Sequence, residues 1–145
     1  SQRGRKGVET LKTVVRDDPS DKVSEHAVFA LSHSKDPEGI QTVLRISKED
    51  ASPHVRSQAL FWIAQNAGQK AVGPISAAIE DDPDTKVKRQ AVFALTQLPN
   101  NEGVPALIKV ARDNRNPSVR KQAFFWLGQS KDPRAARFLE EMLAK

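Results

Sequence analysis

Apolar residues recur along the chain with one period nested inside another. Four segments align without gaps: Val23-Ser-Glu-His-Ala-Val-Phe-Ala-Leu31, Val55-Arg-Ser-Gln-Ala-Leu-Phe-Trp-Ile63, Val87-Lys-Arg-Gln-Ala-Val-Phe-Ala-Leu95 and Val119-Arg-Lys-Gln-Ala-Phe-Phe-Trp-Leu127. In each, the valine is followed by apolar residues at +4, +7 and +8, the spacing of one helix face and not the alternation of a strand. The four valines stand a constant 32 residues apart, and so do Ala27, Ala59, Ala91 and Ala123, and Phe29, Phe61, Phe93 and Phe125. A second apolar element keeps the same step: Val8…Leu11, Ile40…Val43, Val72…Ile75, Val104…Leu107 and Ala136…Leu139. Each repeat therefore predicts two amphipathic helices.

Local punctuation places their ends. Ser52-Pro53 and Asn116-Pro117 each set a capping side chain before a proline at the first helical position. Breaks fall at Ser34-Lys-Asp-Pro37, Ala67-Gly68, Leu98-Pro-Asn-Asn101 and Ser130-Lys-Asp-Pro133. First helices are expected at about 8–17, 39–48, 72–81 and 103–113, and second helices at about 20–33, 53–66, 85–98 and 117–129. An unpaired helix at about 134–144 follows. The basic start, Arg3-Gly-Arg-Lys-Gly7, is expected to fray. Such a pair of short helices cannot bury its own apolar stripe, so successive pairs must stack into an α-solenoid. The expected domain is a single one over 1–145, with repeats at 7–34, 39–66, 71–98 and 103–130 and a closing helix at 134–144.

The pattern Asp-Pro-x-x-x-Val-x-x-x-Ala-x-x-x-Leu, as in Asp82-Pro-Asp-Thr-Lys-Val87…Ala91…Leu95, resembles HEAT repeats, particularly the short bacterial type. The likeness covers residues 8–144 and implies an all-α, right-handed superhelix of the armadillo-like kind. It also implies a structural ladder between an Asp five residues before the valine and an Arg just after it. Here the first role falls to Asp18, Asp50, Asp82 and Asn114, and the second to Ser24, Arg56, Lys88 and Arg120. Ser24 and Asn114 break the charge pairing, so the ladder is expected to be weakest in the terminal repeats.

Composition narrows the chemistry. The chain has 145 residues, a formal charge of +5 and no cysteine. A chain of this length buries about 68–70% of its unfolded surface and needs no staple to fold. Lack of cysteine removes thiolate nucleophiles, Cys-ligated zinc and iron–sulfur clusters. No apolar run reaches a membrane span and no signal leader opens these residues, which leaves a soluble chain, compatible with a piece of a longer protein, and an unknown compartment. His26 and His33 share a helix face beside Glu25, yet the repeated His-Glu pairs of a di-iron HEAT-type hydroxylase are missing, and neither Gly-x-Ser-x-Gly nor a phosphate-cradling glycine motif occurs. No catalytic residue, metal or cofactor is assigned, and the expectation is a non-enzymatic chain.

The functional surface is sought on the second helix. At about 100° per residue, the valine, +4, +7, +8 and +11 form the core arc, while +3, +6 and +10 form a separate stripe. The stripe reads His26-Phe29-His33, Gln58-Phe61-Gln65, Gln90-Phe93-Gln97 and Gln122-Phe125-Gln129. In proteins that the chain resembles, this stripe points into the concave groove, which implies a row of phenylalanines flanked by glutamine or histidine. Glutamine amides both donate to and accept from the main chain of an extended peptide, whose apolar side chains would meet the rings. The expected partner is thus a protein or extended peptide, held by a monomeric scaffold. A purely structural alternative is that the phenylalanines fill the seam between neighbouring helices.

A further position alternates Ala30, Trp62, Ala94 and Trp126. Large and small residues in turn suggest indoles lying over the alanines of neighbouring repeats, or indoles reaching the groove edge, where Arg89 and Lys121 are also placed. Arg56, Lys88, Arg89, Arg112, Arg115, Arg120 and Lys121 form a basic C-terminal flank, interleaved with Asp81, Asp82, Asp84 and Asp113. That flank supports the second reading, a nucleic-acid-binding solenoid.

Overall fold

The computed structural model describes residues 7–12 and 21–145, the side chains of 21–23 excepted. Arg3-Gly-Arg-Lys, Asp18 and the remainder of the helix expected over 8–17 lie outside the described residues; 7–12 are helical and form α1. The other helices are α2 (Asp21–Ser32), α3 (Pro37–Glu49), α4 (Pro53–Asn66), α5 (Val72–Asp81), α6 (Thr85–Thr96), α7 (Val104–Asp113), α8 (Pro117–Gln129) and α9 (Pro133–Ala144). No strand occurs among the described residues.

Their starts follow from the side chains that precede them. The side chains of Asp36, Ser52, Asp84, Asn116 and Asp132 each accept from a first-turn amide, and Pro37, Pro53, Pro117 and Pro133 open α3, α4, α8 and α9. At Asp132 the Arg134 side chain adds a hydrogen bond that holds the carboxyl below its ordinary value. The two longer breaks contain single 3₁₀ turns, Gly68–Lys70 and Pro99–Asn101, in which Gly68, Asn100 and Asn101 adopt positive φ.

Consecutive helices pack as hairpins, α3 on α4, α5 on α6 and α7 on α8, and the hairpins stack into an α-solenoid. The second helices α2, α4, α6 and α8 lie against one another more closely than α3, α5, α7 and α9 do. In a curved stack the closer row is the inner one, so α2, α4, α6 and α8 form the concave side.

The core differs from the expected arc. Val55, Val87 and Val119 and the +4 and +8 positions are buried as expected, but +5 joins them, with Val28, Leu60 and Val92 fully enclosed. Position +7 is buried only at Ala94 and +11 only at Leu98, Asn66 being exposed and Ser34 and Ser130 half-buried. A second helix is flanked by its own first helix and by second helices on either side, so its buried arc is wider than the stripe of a two-layer helix and turns toward +1 and +5.

The same turn buries the ladder. Arg56 donates from Nε to Asp82 Oδ2 (2.9 Å) and from Nη2 to Oδ1 (3.2 Å), while Nη1 reaches the Asp50 carbonyl at 2.7 Å. In the next interval Lys88 donates to the Glu80 carbonyl and Asn114 Nδ2 to Glu80 Oε1, so no charged rung forms. Arg120 donates to the Asn114 carbonyl. Asp50, Asp82 and Asn114 nonetheless share a turn role, each side-chain oxygen accepting the amide two residues on at 2.9 Å. Three residues of the expected basic flank, Arg56, Lys88 and Arg120, are therefore engaged within the ladder, and Arg112 pairs with Asp113.

α9 also departs from expectation. Its buried residues are Ala135 and Phe138, with Leu139 half-buried, whereas Ala136, of the expected apolar element, is exposed, as is Leu143 one turn beyond Leu139. In α7 the corresponding Val104, Leu107 and Ala111 are buried, and α7 packs extensively on α8. α9 packs against α7 and α8, and its buried side is the one that faces them, where Phe138 stacks on Phe124 at 5.8 Å. Truncation after Lys131 is expected to expose Phe124 and lower the melting temperature; an unchanged thermal melt would contradict the closing role of α9.

Candidate binding groove

The +3 and +6 side chains reach the surface of the inner helix row. Phe29 and Phe125 are 46% and 54% exposed, and Phe61 and Phe93 are half-buried. Gln58 and Gln122 are half-buried; His26, Gln65, Gln90, Gln97 and Gln129 are exposed. His33, also exposed, folds back on its own helix, with Nδ1 at 2.9 Å from the Phe29 carbonyl and its ring 4.3 Å from the Phe29 ring.

The rings do not form one even row. Trp62 projects from α4 to meet Phe29 of the preceding repeat edge-on at 4.8 Å and its own neighbour Phe61 at 5.0 Å. Trp126 repeats this on α8, with Phe93 at 5.3 Å and Phe125 at 4.9 Å. The ring partners of the indoles are thus phenylalanines of their own and the preceding repeat, with His33 a further partner of Trp62 at 5.3 Å. Trp126 Nε1 is buried without a hydrogen-bond partner, a loss of about 1–3 kcal/mol that the surrounding ring contacts must offset.

Between these two clusters the third repeat carries Ala94 where the second and fourth carry tryptophan. Its methyl group cannot span to Phe61, and a groove of about 730 Å³ opens between α4 and α6. Phe61, Phe93, Val87 and Ala94 supply its apolar lining, with Gln58 and Gln90 beside them. Ser52, Pro53, His54, Ser57, Asp84 and Lys86 complete it. A second recess of about 450 Å³ lies between α6 and α8, bounded by Arg89, Gln122 and Trp126 and sharing Lys86, Gln90 and Phe93 with the first.

Of the candidate residues, these recesses bring together Gln58, Phe61, Gln90, Phe93, Gln122, Trp126 and Arg89. His26, Phe29, His33, Gln65, Trp62, Gln97, Phe125, Gln129 and Lys121 line neither. Sequence reasoning missed His54 and Lys86, one residue before the repeat valine, and Ser57, two after it. The signal was present: −1, +3 and +6 are spaced i, i+4 and i+7, so the stripe continues one turn toward the helix N-terminus.

Electrostatics divide the groove along its length. The +2 position runs Glu25, Ser57, Arg89, Lys121 from the first repeat to the fourth. His54 Nε2 hydrogen-bonds Glu25 Oε1 at the α2 end. Asp84 turns an oxygen to the Lys86 and Val87 amides as the cap of α6. Among the described residues, no three His, Asp or Glu side chains gather as a metal site.

Phe61→Ala and Phe93→Ala are each expected to destabilise the fold by about 1–2 kcal/mol in urea titrations, as half-buried rings should. A loss near the ~3–5 kcal/mol of a fully buried phenylalanine would place them in a packing seam.

Among curated proteins, none matches the chain in sequence. The family model for HEAT repeats matches residues 72–145. That span holds the last two hairpins and α9, and the 32-residue step carries the same pattern back through the first two. The chain belongs to the HEAT-repeat family.

Proposed function

We propose that this chain is a non-enzymatic interaction module that binds a protein segment in extended form along α4, α6 and α8. HEAT repeats commonly serve as protein-interaction scaffolds. The observation that carries the reading here is the open groove between α4 and α6, where two phenylalanine rings stand beside glutamine amides. The rings offer apolar contact, and each amide offers both a donor and an acceptor to a main chain without other partners. Neighbouring helices lie about 8–10 Å apart and an extended chain advances about 3.3 Å per residue, so one repeat spans about three peptide residues. The scaffold acts as a monomer, and no cofactor takes part.

Peptides selected on the folded chain test this. Gln90→Ala is expected to weaken binding by about 1 kcal/mol while leaving stability unchanged, because it removes a hydrogen-bonding amide and no core volume. Added salt should weaken binding modestly, in contrast to the steep loss that accompanies phosphate binding. Engagement of Arg56, Lys88 and Arg120 within the ladder counts against the nucleic-acid reading. Unaltered binding to Gln90→Ala, Phe61→Ala and Phe93→Ala together would refute the groove.

A further inference from the structure

The alternation of tryptophan and alanine on the second helices has an effect that reaches across repeats. Trp62 and Trp126 each occupy the space beside the phenylalanine of the repeat before, putting aromatic rings between α2 and α4 and narrowing the interval between α6 and α8 to a recess of about 450 Å³. Ala94 leaves the middle interval open, with Phe61 on one wall and Phe93 on the other. The missing indole defines the shape that fits there: a large flat apolar side chain, entering from the concave side.

Charge says what lies beside it. Lys86 lines both recesses, Arg89 lines the second, and neither is in an ion pair with a carboxylate among the described residues. Lys121 extends the basic stretch along α8 and is likewise without an ion pair among them. Toward α2 the cationic positions give way to Ser57 and to Glu25, which His54 holds. A ligand with an apolar anchor in the middle interval therefore finds Lys86 and Arg89 on its α8 side, with Asp84 beside Lys86 engaged as the cap of α6 and Arg89 bonded to the neutral Gln122 amide.

We propose that the interval between Phe61 and Phe93 is an anchor pocket for one aromatic side chain of an acidic, extended peptide, with a carboxylate of that peptide meeting Lys86 and Arg89. The spacing between helices puts the acidic residue about three positions from the anchor. The inference rests on the peptide-binding reading above and adds to it the chemistry of the partner and the site of its anchor.

The test uses a phage-displayed library of random linear peptides selected on the full chain, followed by anisotropy titrations of the enriched peptides. The expected consensus is an aromatic residue with Asp or Glu about three positions away. Ala94→Trp, which copies the residue found at 62 and 126, should lose about tenfold or more in affinity while keeping its helical circular dichroism. Replacing the peptide's aromatic residue by alanine should cause the same loss on the native chain and no further loss on Ala94→Trp. Lys86→Glu with Arg89→Glu should weaken the acidic peptide and be rescued by a lysine at its acidic position. Should Ala94→Trp fail to fold, the peptide alanine variant titrated against Phe61→Ala and the native chain gives the same coupling.

Enriched peptides that bind Ala94→Trp as tightly as the native chain, or a consensus without the aromatic and acidic pair, overturn the anchor pocket. If such peptides still weaken on Gln122→Ala or Phe125→Ala, the concave reading survives that failure. If no concave substitution affects them, both readings fall together.

Discussion

Asp82→Ala is expected to destabilise the protein by about 3–5 kcal/mol, more than the loss of any other polar side chain among the described residues. Asp82 and Arg56 have side chains only 4% and 8% exposed, and both guanidinium donors on that side end on the Asp82 carboxylate. Removing the carboxylate leaves a cation enclosed between the second and third hairpins, with the Asp50 carbonyl as its remaining partner. Removing both partners is a different matter: Arg56→Met with Asp82→Leu should lose only about 1 kcal/mol, since no charge is left behind and the Asp84 amide is the one donor that loses its acceptor. Asn114→Ala, at the corresponding place one repeat later, should lose about 1 kcal/mol, because it gives up a bond to the exposed Glu80 carboxylate and one from the Asn116 amide and strands no buried charge. Solenoid stability is the sum of repeat and nearest-neighbour terms, so Asp82→Ala should also separate unfolding of the two halves, visible as a broadened or split urea transition. A loss below about 1 kcal/mol with a single sharp transition would contradict the buried-rung account.

Gly103→Ala is the second large effect, expected at about 1–3 kcal/mol. A Cβ at this position would stand 2.0 Å from the Leu95 carbonyl oxygen and 2.8 Å from its carbon, both backbone atoms that cannot rotate aside. The start of α7 crosses the end of α6 this closely only because residue 103 has no side chain. Gly39, 64 residues earlier, makes the same approach to the Leu31 carbonyl, where a Cβ would lie at 2.5 Å. Gly128 is the control. It sits inside α8 with nothing within 4 Å of an added methyl group, so Gly128→Ala should stabilise by about 0.5–1 kcal/mol through helix propensity alone. Thermal or urea unfolding of the two variants, measured side by side, should move in opposite directions. Equal, small shifts would mean that the α6–α7 junction yields more readily than its geometry implies.

The helices were legible because their signals are local. Ser52, Asn116 and the prolines after them mark starts by chemistry confined to one turn, and the 32-residue step repeats that chemistry along the chain. The second helices proved harder. A helical projection measures the contrast between two faces, whereas α4 and α6 are enclosed on three sides, and this is why Leu60 and Val92 were missed as core and Arg56 was counted as surface charge. α9 also differs: its pattern matches α7, yet its packing on α7 and α8 buries Ala135 and Phe138 and leaves Ala136 and Leu143 exposed. The groove lay between these cases. Its phenylalanines and glutamines were on the expected stripe, but its opening depends on Ala94 facing Phe61 across 33 residues, a relation visible in the sequence only as an alternation of alanine and tryptophan.

The most direct measurement is a footprint: side-chain resonances of the phenylalanines and glutamines, recorded by NMR as a library-selected peptide is titrated into the full chain. Binding on the inner helix row predicts shifts and intermolecular contacts concentrated at Gln58, Phe61, Gln90 and Phe93, with little change on α3, α5 and α7. Perturbations centred on those first helices, with the Phe61 and Phe93 rings unmoved at saturation, would contradict it.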